Sequence, residues 1–127
     1  FEDLCVKSDV ISFHVPLSEE THSLIGADFF GRISRKPLVI NASRGKIMDL
    51  NEAISALEKG QISGLCLDVL PDEPPLKNDG HHDTNSYRRL FEFQDLMFSP
   101  HVAGWSKESY RKISDRLLEN ILKYKGL

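Results

Sequence analysis

Three short apolar runs in this 127-residue chain each end in a residue able to do chemistry. Pro37-Leu38-Val39-Ile40-Asn41 leads to Arg44, and Leu96-Met97-Phe98-Ser99-Pro100 leads to His101. Between them Ser63-Gly64-Leu65-Cys66-Leu67 leads to Asp68, with Glu73 in the loop beyond. An arginine fork holds a carboxylate through two hydrogen bonds and polarises an adjacent carbonyl oxygen. A carboxylate at a strand end can accept hydrogen bonds, and the amide or ribose of a bound cofactor could supply them. A histidine titrates near neutral pH and serves as general acid or base. Glu73 is the carboxylate placed to fix the tautomer of His101 and to raise its pKa by favouring the charged ring. Brought together, these groups spell anion binding plus proton transfer.

Taken singly, each has a plainer reading. Arg44 fits a surface arginine in a strand–helix loop. Asp68 and Glu73 fit an acidic, proline-rich surface loop, and His101 fits a histidine hydrogen-bonded near a helix start. His14-Val15-Pro16 closes an earlier strand, where the backbone either lines a ribose or nicotinamide pocket or ends half in solvent. The small residues around Arg44 let a ligand approach the backbone, and Gly45 is expected to use its tolerance of positive φ. Trp105 either packs at the mouth of the site or anchors the last helix. His81-His82-Asp83 has no third ligand at a recognised metal spacing, so no metal is expected.

The elements that must position these groups follow from local pattern. Strands are expected at 10–14, 37–41, 63–68 and 96–99, from short β-branched and apolar runs bounded by Pro, Gly and polar residues. Helices are expected at 27–33, 49–59, 87–93 and 106–123. The clearest is 49–59, with Asp49 as N-cap, Glu52 three residues on, an apolar face of Ala53, Ile54, Ala56 and Leu57, and Gly60 at its end. The last carries Tyr110, Ile113, Leu117, Leu118 and Ile121 along one face. Residues 70–85 form a long loop. Alternation of helices with almost wholly apolar strands predicts an α/β fold, a parallel sheet with helices on both faces. Open sheets of that kind bind ligands outside the carboxyl ends of their strands.

Composition bounds the function. Apolar residues make up 40% and charged residues 28%, as in a globular domain, and the formal net charge is −3 without a basic stripe. Nucleic acid is therefore not an expected partner. No apolar run approaches the ~18 residues of a membrane span, and the start has neither the basic residues nor the apolar core of a signal peptide. The chain begins at Phe1 rather than Met and is expected to start inside a longer one. Two scattered cysteines, Cys5 and Cys66, suit a reducing, cytoplasmic setting better than a disulfide scaffold.

Four segments in order carry a resemblance: Ser8-Asp9-Val10-Ile11-Ser12-Phe13-His14-Val15-Pro16-Leu17, Asn41-Ala42-Ser43-Arg44-Gly45, Asp68-Val69-Leu70-Pro71-Asp72-Glu73-Pro74 and Ser99-Pro100-His101-Val102-Ala103-Gly104. Together they resemble the D-isomer-specific 2-hydroxyacid dehydrogenases. The resemblance implies a Rossmann-like cofactor domain, present as its C-terminal half over 1–104, with 105–127 a terminal helix packing back toward a substrate domain. It implies NAD as cofactor, with NADP open, and a small 2-oxoacid or 2-hydroxyacid as substrate. Arg44, Glu73 and His101 match the catalytic residues of the family. His14, Val15, Pro16, Ala42, Ser43, Arg44, Asp68, His101, Ala103 and Gly104 match its cofactor-lining positions. Arg44 would hold the substrate carboxylate, and His101 paired with Glu73 would exchange the proton. The enzyme would be a cytoplasmic homodimer. Glu73 stands where formate dehydrogenases of the same fold carry glutamine, which favours a hydroxyacid.

Departures accompany the match. The glycine-rich phosphate loop G-x-G-x-x-G does not occur in the sequence, nor does the acidic residue that follows it. The loop between Glu73 and His101 is longer than is usual in the family. An NAD-binding regulatory module without turnover is the alternative function, and a CheY-like signalling domain lacks the acidic cluster it would need. With no earlier strand beside it, the strand at 10–14 would be a bare edge, so these residues alone are expected to associate or to be poorly stable, and to bind NAD weakly.

Overall fold

Each apolar run forms a strand, and each strand stops where a polar residue or a proline interrupts it. The computed structural model describes residues 1–71 and 84–126. Its strands are β1 (Val10–Phe13), β2 (Leu38–Asn41), β3 (Gly64–Leu67) and β4 (Leu96–Phe98). They form one sheet in the order β1-β2-β3-β4, every neighbour pair parallel. The helices are α1 (Glu2–Lys7), α2 (Ala27–Arg32), α3 (Leu50–Glu58), α4 (Thr84–Leu90) and α5 (Lys107–Lys125). The α/β parallel fold expected from the sequence is therefore the observed one.

α3 starts as its sequence predicts: the Asp49 carboxylate accepts from the amides of Asn51 and Glu52 at 3.0 and 3.2 Å. Ser106 caps α5 by accepting from the Ser109 amide at 3.0 Å, and Gly126 closes it with φ 71°. Two elements differ from expectation. α1 has no strong pattern of its own, and tertiary contact forms it: Cys5 is fully buried and the Phe1 ring meets Phe29 at 6.0 Å. The helix expected at 87–93 lies at Thr84–Leu90, because buried Leu90 ends it and residues 91–95 turn toward β4.

Register divides the sheet into two faces. Ile11, Val39 and Leu65 align across the first three strands, as do Phe13, Asn41 and Leu67, and all six are buried. Onto this face pack Phe29 and Phe30 of α2, Ala53 and Ile54 of α3, Cys5 of α1 and Leu90 of α4, in one continuous core. The other face carries Val10, Ser12, Ile40, Cys66 and Met97, of which Val10 is 56% and Met97 69% exposed. The expectation of helices on both faces is corrected here. Successive right-handed crossovers in one direction deliver α2, α3 and α4 to one side. α5 buries no residue, and its predicted apolar face points to solvent.

Candidate active site

Because all four strands are parallel, the loops that follow them share one rim. His14 to Leu17 follow β1, Ala42 to Gly45 follow β2, Asp68 follows β3 and Ser99 to Gly104 follow β4. An open depression of about 510 Å³ lies between the first two loops, lined by His14, Val15, Pro16, Ala42, Ser43 and Arg44 among others. A hollow of about 260 Å³ on the open sheet face runs from Ile40 and Cys66 to Asp68, Ser99 and Ala103. The sequence-singled residues Arg44, Asp68 and His101 thus stand at the ends of adjacent strands. Glu73, His81, His82 and Asp83 lie outside the described residues.

The loop bearing Arg44 is built from β2. Asn41 is fully buried on the covered face. Its Oδ1 accepts from the Ser43 amide and its Nδ2 donates to the Arg44 carbonyl, both at 3.1 Å. The Ser43 hydroxyl donates to the Val15 carbonyl, tying this loop to the one after β1. Arg44 Nη1 donates to the Ser43 carbonyl at 2.7 Å while the side chain stays exposed. Gly45 is required for a reason other than the one expected. Positive φ among the described glycines occurs at Gly60 and Gly126, not at Gly45. A Cβ on Gly45 would instead fall 1.8 Å from the Leu70 carbonyl oxygen, so the chain after β3 crosses directly over this glycine.

The loop bearing His101 is built from β3. Asp68 Oδ1 accepts from the Ser99 hydroxyl at 2.6 Å and from the Val102 amide at 2.8 Å, while Oδ2 accepts from the Ala103 amide at 3.0 Å. The Asp68 carbonyl accepts from the His101 amide at 2.9 Å. His101 itself has φ 56°, in the left-handed region a residue with a side chain rarely occupies. Burial of the Asp68 carboxyl by itself would raise its pKa. The hydrogen bonds from Ser99, Ala103 and Val102, together with the nearby His101, outweigh burial and hold it below the ordinary carboxylate range. On the β1 loop, His14 Nε2 meets the Ser12 hydroxyl at 2.7 Å.

Asn41, Ser99 and Ser12 were missed as contributors to the site. The signal for Asn41 was present: Val39 and Asn41 share the inward face by the two-residue period of a strand, so a polar side chain there had to find partners inside.

The rim meets the needs of an NAD cradle in part. It has an open groove at strand ends, and Ala42 and Ser43 are small enough for close approach. Asp68 Oδ2 takes one hydrogen bond among the described residues, which leaves acceptor capacity for a nicotinamide amide. Among the described residues no cluster of three His, Cys, Asp or Glu is placed to hold a metal. None of their helices is long and apolar enough to cross a membrane.

Residues 1–103 match the family model described as D-isomer specific 2-hydroxyacid dehydrogenase, NAD binding domain. The chain belongs to that family. Its relatives include a glyoxylate reductase of Korarchaeum cryptofilum, 34% identical over 98% of this chain and 35% of that protein. A glycerate dehydrogenase of Methylorubrum extorquens is 35% identical over 94% of the chain and 36% of its own length. Among solved structures, a D-isomer specific 2-hydroxyacid dehydrogenase from Lactobacillus delbrueckii ssp. bulgaricus in NAD complexed form superposes with TM-score 0.79 at 27% identity, covering 99% of this chain and 40% of that one. The chain thus spans about a third of the length of the curated relatives it matches.

Proposed function

We propose that this 2-hydroxyacid dehydrogenase chain carries the nicotinamide-proximal half of an NAD-linked oxidoreductase for small D-2-hydroxyacids, such as glycerate, 3-phosphoglycerate or D-lactate. The observation that carries the reading is the placement of Arg44, Asp68 and His101 on loops at one rim of adjacent parallel strands, two of those loops braced from within by buried polar side chains. NAD, when bound, supplies or accepts the hydride. Arg44 holds the substrate carboxylate and polarises the neighbouring carbonyl. His101 gives its proton to the forming alkoxide oxygen, and in the oxidative direction it takes that proton as base. Glu73 is the proposed carboxylate partner of the imidazolium. His14 to Pro16 and Ala42 to Ser43 line the cofactor groove, with Ala103 and Gly104 opposite. Residues 105–127, with α5 exposed, would dock on a substrate domain, and the whole enzyme would be a homodimer.

The test is a transplant. Residues 1–103 replace the matching segment of the Korarchaeum glyoxylate reductase, and NADH loss is followed with glyoxylate, hydroxypyruvate and pyruvate. Turnover is expected, and His101→Ala should lower kcat by ~10²–10⁴-fold with NADH binding kept. A folded chimera that binds NADH but turns over none of these would leave the binding-module reading in its place.

A further inference from the structure

Both loops that present the chemistry are braced by the strand end beneath them, and a main-chain hydrogen bond joins the two strand ends. Asn41 and Asp68 are buried polar residues at the ends of neighbouring strands. The Asp68 amide donates to the Asn41 carbonyl at 3.0 Å. Above that link Asn41 uses both ends of its side-chain amide on the Ser43–Arg44 loop. Asp68 uses both carboxylate oxygens on the loop around His101. A continuous chain of hydrogen bonds therefore runs from the Arg44 carbonyl through two strand ends to Val102 and Ala103.

We propose that Asn41 and Asp68 form one positioning unit that sets where Arg44 stands relative to His101. The proposal rests on the reading of Arg44 as the carboxylate clamp and His101 as the proton carrier. A hydride acceptor works only when the groups at its carboxylate and its carbonyl oxygen are correctly spaced, and small errors in that spacing are costly. The chain meets the need in an unusual way. A hydrophobe at position 41 would suit the covered face better, since Phe13 and Leu67 flank it in register. The polar side chain is retained where burial disfavours it unless it is fully hydrogen-bonded. Likewise His101 holds φ 56° because its own amide and the two amides after it are gathered by Asp68. Without those acceptors the loop has no reason to keep a left-handed residue at its apex.

The discriminating variant is Asn41→Leu, which keeps the branch at Cγ, suits the core and removes both side-chain hydrogen bonds. In the glyoxylate reductase chimera that carries residues 1–103, amide hydrogen exchange is read at Ser43, Val102 and Ala103, with Val39 and Leu65 as core controls. Exchange at Ser43 should quicken by about tenfold and at Val102 and Ala103 by about threefold, the controls staying put. Oxamate, a 2-oxoacid analogue, is titrated by isothermal calorimetry into the same NADH-loaded chimera in parallel. Its affinity should fall about tenfold in Asn41→Leu and vanish in Arg44→Ala. Quickening at Ser43 with Val102 and Ala103 unchanged would show two independent loops and overturn the unit. Oxamate affinity unchanged in Asn41→Leu but lost in Arg44→Ala would overturn the positioning role while leaving the clamp intact. Oxamate indifferent to Arg44→Ala would overturn the clamp itself, and exchange alone would then decide the coupling. Should the leucine variant not fold, Asn41→Asp keeps an acceptor for Ser43 while replacing the donor to Arg44 with a second acceptor, and the same comparisons apply.

Discussion

The two faces of one sheet have very different fates. On one, Ile11, Val39 and Leu65 are at most 1% exposed under four helices; on the other, Met97 and Val10 lie more than half open. The strands are the same, and only the crossovers differ in what they deliver. The covered face therefore supplies the stability of these residues, and the open face is a surface that the described residues leave uncovered. The rim loops draw on both sides: Asn41 reaches the Ser43–Arg44 loop from the core and the chain after β3 passes over Gly45, whereas Asp68, Ser99 and Ala103 line the hollow on the open face.

The sharpest way to break that contrast is a methyl group. Gly45→Ala would drive a Cβ into the Leu70 backbone, where no rotamer change relieves it. We expect loss of cooperative folding, a cost beyond the ~1–3 kcal/mol of ordinary overpacking. Gly104→Ala, with nothing within 4 Å of its Cβ, should melt like the parent. Equal melting curves for the two variants would show that the chain after β3 does not cross Gly45 in solution.

Next in size is a pair of truncations. Phe29→Ala removes a fully buried ring that meets Phe13 at 5.4 Å and Phe30 at 5.1 Å, and should cost ~3–5 kcal/mol by denaturant unfolding. Met97→Ala, 69% exposed on the open face, should stay within about 0.5 kcal/mol. A large cost at Met97 would mean that something covers the open face in solution, in a second copy of the chain or elsewhere.

Legibility follows the same division. The strands could be read because short apolar runs are cut by Pro, Gly and polar residues, and Arg44, Asp68 and His101 stood out because they interrupt those runs. α1 could not be read, since its helix depends on the Phe1 ring meeting Phe29, 28 positions on, and on Cys5 entering the core. Nor could the left-handed φ of His101, in a loop whose amides at 101, 102 and 103 all bond to Asp68 on another strand. The openness of one face was invisible for a related reason: an apolar strand declares that it wants cover, not whether cover arrives. Gly45 shows a subtler limit, because the same residue type serves a turn or a close crossing and only the neighbour decides.

Asp68 gives a smaller effect with a defined sign. Its carboxyl is depressed in the folded state, so protons bind the unfolded chain more readily. Its stabilisation is complete above the unfolded carboxylate value of about 3.9 and fades as pH falls through the lower folded value. Asp68→Asn should cost ~1–3 kcal/mol at neutral pH and flatten the stability curve below about pH 4. A variant that kept the parent's acid slope would place that slope on other carboxyls.

The smallest effect separates the two regions most cleanly. Leu117 lies on the apolar stripe of α5 and is 59% exposed, with Tyr110 and Ile113 beside it equally open. If α5 stands away from the sheet, Leu117→Gln removes no packing and should shift unfolding by less than about 0.5 kcal/mol. Were the helix folded back over Ile40, Cys66 and Met97, the same change would cost ~2 kcal/mol or more, as in any core. The measurement belongs at several protein concentrations, since a stripe of this kind also serves for contact between chains. A cost that appears only at high concentration would place Leu117 in an interface between copies, while one independent of concentration would place it against its own sheet.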